Sequence, residues 1–266
     1  MDGKKELRSD IAWSTADKIG VHGYDLTEEL IGEVNLGDMA FLEVSGRLPS
    51  APESRMFNAV LVTLVEHGIV PSTLAARMTY TGAPEAMQAA VAAGLLGLGS
   101  VFVGSTEGSA RMLAAAFAED EAGQLSLAEH ARRIVAAHRE ARRIVPGLGH
   151  PIHKPVDPRT VRLFRIARET GFHGRHIALM EQISEKAQAV TGRQLPVNAT
   201  GAIGAICCEM GFSWKVASGL GVMARAVGLV GHVLEEARQP IAMELWHRAE
   251  DEATGHMRGQ LRADKE

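Results

Sequence analysis

The stretch Pro146-Gly147-Leu148-Gly149-His150-Pro151-Ile152-His153-Lys154-Pro155-Val156-Asp157-Pro158-Arg159 interrupts a chain that otherwise reads as helix. Its prolines remove backbone donors and lock φ, and its glycines accept conformations other residues avoid, so it must be an irregular loop. On its N-terminal side, residues 127–143 form a strongly charged amphipathic pattern of helical period. On its C-terminal side, residues 160–170 repeat that pattern after Pro158, a residue suited to a first helical turn. The loop therefore joins two helices.

Working outward, the same period recurs. Residues 56–66 carry Met56, Val60, Leu61 and Leu64 on one stripe, with Ser54 as a candidate N-cap. Pro71 and Ser72 open a helix over 73–79, and further helices are expected over 176–191, 202–210, 216–231 and 231–236. Strand-like alternation is confined to about 21–26. Aromatic residues make up only 5% of the 266, which disfavours a β-sandwich and favours close helix packing. The expected fold class is all-α. Gly94, Gly97 and Gly99 each cost roughly 1 kcal/mol inside a helix relative to alanine. Such a face of small residues serves either a tight intramolecular contact or a helix-packed dimer interface.

The bulk properties exclude several classes. A formal net charge of −4 gives no general attraction to nucleic acid. The apolar run 86–104 contains Gln88, Ser100 and several glycines, and reads as a buried helix pair rather than a membrane span. Residues 1–13 are charged and lack the apolar core of a signal segment. The two cysteines, Cys207 and Cys208, are adjacent, a poor arrangement for a disulfide or a zinc site. A cytoplasmic protein without a metal is expected.

Four segments hold residues able to do chemistry. Loop 146–159 combines close-approach glycines with His150, His153, Lys154 and Arg159, a cationic concavity for phosphates and carboxylates. Arg159 also stands at a helix start, where backbone donors favour anions. A plain helix connector, or a weaker histidine metal site, are the other readings. Residues 65–73 place His67 where one helix ends and another begins, as a proton-exchanging group or as a cap. Residues 195–205 offer Asn198 and Thr200, which are also good capping residues. Residues 223–240 carry Arg225 in an apolar helix with no acid at i±3 or i±4, so its anionic partner lies elsewhere in the fold or in a ligand.

In order along the chain, from about residue 38 to 246, these segments resemble the citrate synthase superfamily, and within it the citryl-CoA lyases, including the lyase module of ATP-citrate lyase. The resemblance rests on Gly147-Leu148-Gly149-His150 followed by Asp157-Pro158-Arg159, on Phe41-Leu42 and Gly46-Arg47-Leu48-Pro49, and on the segment from Gly231 to Pro240. It implies a helical fold across 1–266, with a large domain of about 30–155 and 195–266 and a small lobe of about 155–194. It also implies roles. His150 holds the carbonyl or alkoxide oxygen of the oxaloacetate unit, and His67 contacts oxaloacetate or the citryl group. Arg159, Arg225 and Arg238 clamp carboxylates, Arg238 coming from the neighbouring subunit of a homodimer. Asn198 lies in the substrate-binding segment, and Gly147, Leu148, Gly149 and Lys154 bind coenzyme A. The thioester enters as substrate, and no cofactor is held permanently.

Two positions depart from the family pattern. The family's catalytic histidine has no counterpart in residues 101–109, a feature that resembles the lyase branch. Thr200 falls where the family carries an aspartate that acts as acid or base, and a hydroxyl has no accessible pKa for that task. The expected activity is cleavage of citryl-CoA, or a related 3-hydroxy acyl-CoA, to acetyl-CoA and oxaloacetate, with His67, His150 and Thr200 as the catalytic candidates. The alternatives are the reverse condensation and a non-catalytic acyl-CoA or tricarboxylate-binding protein.

Overall fold

A computed structural model describes residues 7–99, 104–120 and 123–258. The fold is helical: α1 (Leu36–Ser45), α2 (Ala51–Val65), α3 (Pro71–Gly82), α4 (Met87–Leu96), α5 (Gly104–Ala118), α6 (Leu127–Glu140), α7 (Pro158–Thr170), α8 (Arg175–Thr191), α9 (Ala199–Glu209), α10 (Trp214–Arg238) and α11 (Ala242–Thr254). Before them lies a small antiparallel sheet of β1 (Ala12–Ser14), β2 (Ile19–Val21) and β3 (Tyr24–Asp25) in the order β1-β2-β3. The alternation near 21–26 is thus a short hairpin. The all-α expectation holds.

Several boundaries move, each for a local reason. Helix α2 starts three residues before the candidate cap Ser54, because Ser50 and Glu53 form the cap: the Ser50 backbone N–H and hydroxyl both donate to Glu53 Oε2, at 2.8 and 2.7 Å. Arg47 beside Glu53 holds that carboxyl down at about 2. Ser54 instead donates to Asp38. The two helices expected over 216–236 are one helix, α10, which runs through Gly228 and Gly231. By length and composition α10 is apolar enough to cross a membrane. Within it Leu229 and Val233 are fully buried, while Val222, Val227 and Leu234 are exposed.

The chain divides into two compact units, residues 1–63 with 104–220 and residues 64–103 with 221–266. Residues 155–194, expected as a small lobe, lie within the first unit.

The first unit is organised on α9, which packs against α5, α7 and α8. Ala199, Gly201, Ala202, Ile203, Gly204, Ala205, Ile206 and Cys207 are all buried, so this helix is apolar all round, as a central helix must be. Its small residues permit the close packing: a Cβ on Gly204 would meet Ser109 Oγ at 2.7 Å. Elsewhere in the unit, Phe41, Phe57 and Phe212 meet edge to face with centroids 5.2–5.8 Å apart.

In the second unit, α3 packs on α4 and on α11 around Ala76, Ala90, Leu229 and Val233. Gly94 serves that core directly, since a Cβ there would lie 2.7 Å from Leu229 and 2.9 Å from the Ser72 carbonyl. Gly97 likewise approaches Ser72. For these two glycines the intramolecular reading accounts for the missing side chains.

Arg77 is fully buried in this unit. Its Nη1 donates to Glu236 Oε2 at 2.8 Å, and its Nη2 pairs with Glu235. The other oxygen of Glu236 accepts from the backbone N–H groups of Ile241 and Ala242 and so caps α11. One ion pair therefore ties α3, α10 and α11 together. Arg77→Ala leaves Glu236 buried without its counter-charge, and should destabilise the unit by about 3–5 kcal/mol. Urea unfolding of the variant against the parent measures this.

Candidate functional site

Loop 146–159 sits directly on the N-terminus of α9. Gly147, at φ +82°, meets Gly201 so closely that a Cβ on Gly147 would lie 2.5 Å from the Gly201 Cα. A Cβ on Gly201 would lie 2.4 Å from the Gly147 carbonyl oxygen. A short antiparallel bridge, Leu148 opposite Val197, locks the two segments side by side. Gly149 N–H donates to the Pro196 carbonyl at 2.8 Å, and Asn198 N–H donates to the Gly147 carbonyl at 3.0 Å.

Asn198 works in two directions. Its Oδ1 caps α9 by accepting from Gly201 N–H at 3.0 Å, and its Nδ2 donates to the Gly149 carbonyl at 2.7 Å. Thr200 Oγ1 donates to the same Oδ1 at 2.7 Å. That hydroxyl proton is therefore committed, and the contact of 3.0 Å with Ser105 makes Ser105 Oγ the donor to Thr200. Thr200 is thus held in a hydroxyl relay from Ser105 to Asn198. Ser105 was not singled out from the sequence. Its one signal was its place in the segment where the family histidine is missing. Residues 101–103 of that segment lie outside the described residues.

Asp157 is fully buried and caps two helices. Its Oδ1 accepts from Arg159 N–H at 3.0 Å at the start of α7, and its Oδ2 accepts from Ala199 N–H at 3.1 Å at the start of α9. The same carboxylate holds the Arg159 guanidinium by Nε at 3.0 Å and Nη2 at 2.8 Å. Burial pushes the carboxyl up, but these charged and backbone donors outweigh it and leave it below the usual range. Arg159 is consequently oriented by an internal partner, and its Nη1 makes no hydrogen bond among the described residues.

His150 Nδ1 accepts from the backbone N–H groups of Ile152 and His153, both at 3.1 Å. The ring proton is therefore on Nε2, and the side chain presents a donor. The His153 ring stacks on it with centroids 4.4 Å apart. Gly147 and Leu148 are buried, Gly149 is half-buried and Lys154 is exposed. Burial pushes the Cys207 thiol up to about 12 and Cys208 to about 11, which excludes them as ready nucleophiles. Among the described residues no group of three or more His, Cys, Asp or Glu side chains is gathered as a metal would require.

His67, Arg225 and Arg238 belong to the second unit. His67 lies in the turn after α2, where its N–H and that of Gly68 donate to Glu66 Oε2 at 3.2 and 3.1 Å. The Arg225 Nε and Nη1 are buried without a hydrogen-bond partner among the described residues. Burial pushes its pKa down, and the charge of Glu66 acts in the opposite sense. This is the electrostatic profile of a residue prepared for an anion. Arg238 is exposed in the last turn of α10.

A helical fold whose glycine-bearing cationic loop is seated on a buried helix N-terminus defines a class, and comparison with known proteins names it. The family model for the citrate synthase C-terminal domain matches residues 21–245, so the chain belongs to the citrate synthase family. Among solved structures, the chain is similar to a citryl-CoA lyase from Hydrogenobacter thermophilus, at 34% identity over 88% of both chains and a TM-score of 0.78. It shares its fold with an ATP citrate lyase from Methanothrix soehngenii in complex with citrate and coenzyme A, at 21% identity, 90% of this chain, 40% of that one and a TM-score of 0.72. A curated relative, probable ATP-citrate synthase subunit 1 of Neurospora crassa, is 24% identical over 81% of this chain. The chain spans only 33% of that relative's length.

Two outcomes are expected. Gly147→Ala forces a Cβ into Gly201 and strains a positive φ, and should cost about 2–4 kcal/mol in thermal or urea unfolding. Asp157→Asn should lose about 1–3 kcal/mol at pH 7 by weakening the charged hydrogen bonds. Because the folded-state pKa of Asp157 is depressed, the parent's advantage is fully present above the ordinary carboxylate range and vanishes as pH falls through the folded value. Denaturation of the two proteins between pH 7 and pH 2 should show their stabilities converging at the acid end.

Proposed function

We propose that this protein is a citryl-CoA lyase-like enzyme that cleaves citryl-CoA, or a related 3-hydroxy acyl-CoA, to acetyl-CoA and oxaloacetate. One observation carries the reading: His150, Arg159, Asn198 and Thr200 are assembled where loop 146–159 meets α9, in a chain 34% identical to a citryl-CoA lyase over 88% of both. The reaction removes the C3 hydroxyl proton, breaks the adjacent C–C bond, and leaves the electron pair on the thioester enolate. A proton delivered to the enolate carbon completes acetyl-CoA, and the former alkoxide becomes the ketone of oxaloacetate.

The tautomer of His150 divides the labour. With the proton on Nε2, His150 stabilises the substrate's C3 oxygen as a donor. His67 is then the base for the hydroxyl proton. Arg159 Nη1 and Arg225 take the two carboxylates that remain when the third is a thioester, with Arg238 acting from the neighbouring subunit of a homodimer. Lys154, being exposed, suits the phosphates of coenzyme A, and Gly149, whose N–H and carbonyl are held by Pro196 and Asn198, shapes the loop. Gly147 and Leu148 contribute by packing the loop on α9. Thr200 positions through its relay and cannot titrate. We place the enzyme in the cytoplasm, with coenzyme A present only as part of the substrate and product.

A second reading, a non-catalytic acyl-CoA or tricarboxylate-binding protein, draws on one feature. Both hydrogen-bonding directions of Thr200 are occupied, and the nearby carboxylate, Asp157, is committed to Arg159 and two helix ends. The same feature weighs against the reverse condensation, which needs a strong base for acetyl-CoA.

Purified protein incubated with synthetic citryl-CoA should release oxaloacetate, followed with a malate dehydrogenase couple. Binding of citryl-CoA with no turnover would sink the lyase reading in favour of the binding one. Thr200→Asp restores a titratable group and should raise kcat by about 10²-fold. An unchanged kcat in that variant would place the proton transfer elsewhere.

A further inference from the structure

Within the second unit, Glu66 is more than a turn residue. The guanidinium of Arg77 has donors only, and its Nε and Nη2 lie 3.3 and 2.9 Å from His232 Nδ1. Nδ1 must therefore accept, which puts the ring proton on Nε2. That nitrogen lies 3.2 Å from Glu66 Oε2, so His232 donates to Glu66. The same oxygen receives the N–H groups of His67 and Gly68. The turn rests directly on α10, since a Cβ on Gly228 would lie 2.2 Å from the Val65 carbonyl and 2.8 Å from Glu66 Oε1. Arg77 is in turn anchored by the buried Glu236.

We propose that His232 is a positioning residue: held by Arg77 as the Nε2–H tautomer, it pins the Glu66 carboxylate onto the 66–68 turn and so sets His67 and keeps Glu66 from occupying Arg225. Glu66 is half-exposed and is the acid whose charge Arg225 feels. Freed from His232, it would swing to the buried, unpartnered Nε and Nη1 of Arg225 and compete there with a substrate carboxylate. This rests on the reading that His67 and Arg225 meet the substrate.

Two variants separate the two ring nitrogens. His232→Asn keeps an acceptor for Arg77 in the place of Nδ1 but loses the donor to Glu66. His232→Gln keeps a donor in the place of Nε2. In ligand-free parent protein, nitrogen NMR should find the His232 proton on Nε2. Backbone amide exchange at His67 and Gly68 should speed up about tenfold in His232→Asn and return toward the parent rate in His232→Gln. With citryl-CoA, His232→Asn should raise KM about tenfold through Arg225 and lower kcat about tenfold through the displaced base His67, and His232→Gln should recover most of both losses. A proton on Nδ1, unchanged exchange in His232→Asn, or an unmoved KM in a protein that turns over each overturns the proposal. If the parent shows the expected tautomer and exchange but does not turn over citryl-CoA, the lyase reading fails and the positioning of the turn stands.

Discussion

Gly147 and Gly201 meet with no room for a side chain on either, and the first unit's candidate site hangs on that contact. It brings a loop rich in proline and glycine within backbone hydrogen-bonding distance of a helix N-terminus. Once the loop is there, its carbonyls and the first N–H groups of α9 must find partners. Asn198 and Asp157 supply them, and both side chains also hold functional candidates. The capping residues of α9 are therefore the same residues that orient Thr200 and Arg159. Stability and site geometry are one set of hydrogen bonds, and a change made for one is felt by the other.

The second unit solves a different problem. It buries an arginine, Arg77, and must compensate a charge in low dielectric. Glu236 and Glu235 provide the counter-charge, and Glu236 is itself engaged by the start of α11. The remaining guanidinium donors reach His232, and through it the turn that carries His67. Arg225 is treated in the opposite way: its Nε and Nη1 are buried with no partner among the described residues. The contrast separates a structural arginine from one whose chemistry still calls for an anion.

Much of this was legible before any coordinates. The helical period, the loop at 146–159, and the start of α7 at Pro158 follow from the spacing of apolar residues and from proline chemistry. Asn198 as a cap was readable because its residue type at a loop-to-helix junction has few other uses. The cap of α2 was readable too, as a serine followed three residues later by glutamate. It was missed because the apolar stripe beginning at Met56 drew the boundary inward. The continuity of α10 was hidden by its glycines: Gly228 marks a close approach to the Val65 carbonyl, whereas a Cβ on Gly231, where a break was expected, would meet nothing within 4 Å.

By itself, then, the sequence determined the all-helical class, the family, and the residue types gathered in each segment, because periodicity and turn chemistry act over a few neighbouring positions. Only the tertiary structure decided how those residues are committed. That Arg159 is held by Asp157, that Thr200 has spent its proton on Asn198, and that His150 presents Nε2–H all depend on which donor lies 3 Å from which acceptor. Hydrogen-bond direction is a property of neighbours in space, and all three of those partnerships cross no more than three residues of chain. Even so, residue type alone did not reveal them, since each side chain had several partners within reach until the fold removed the rest.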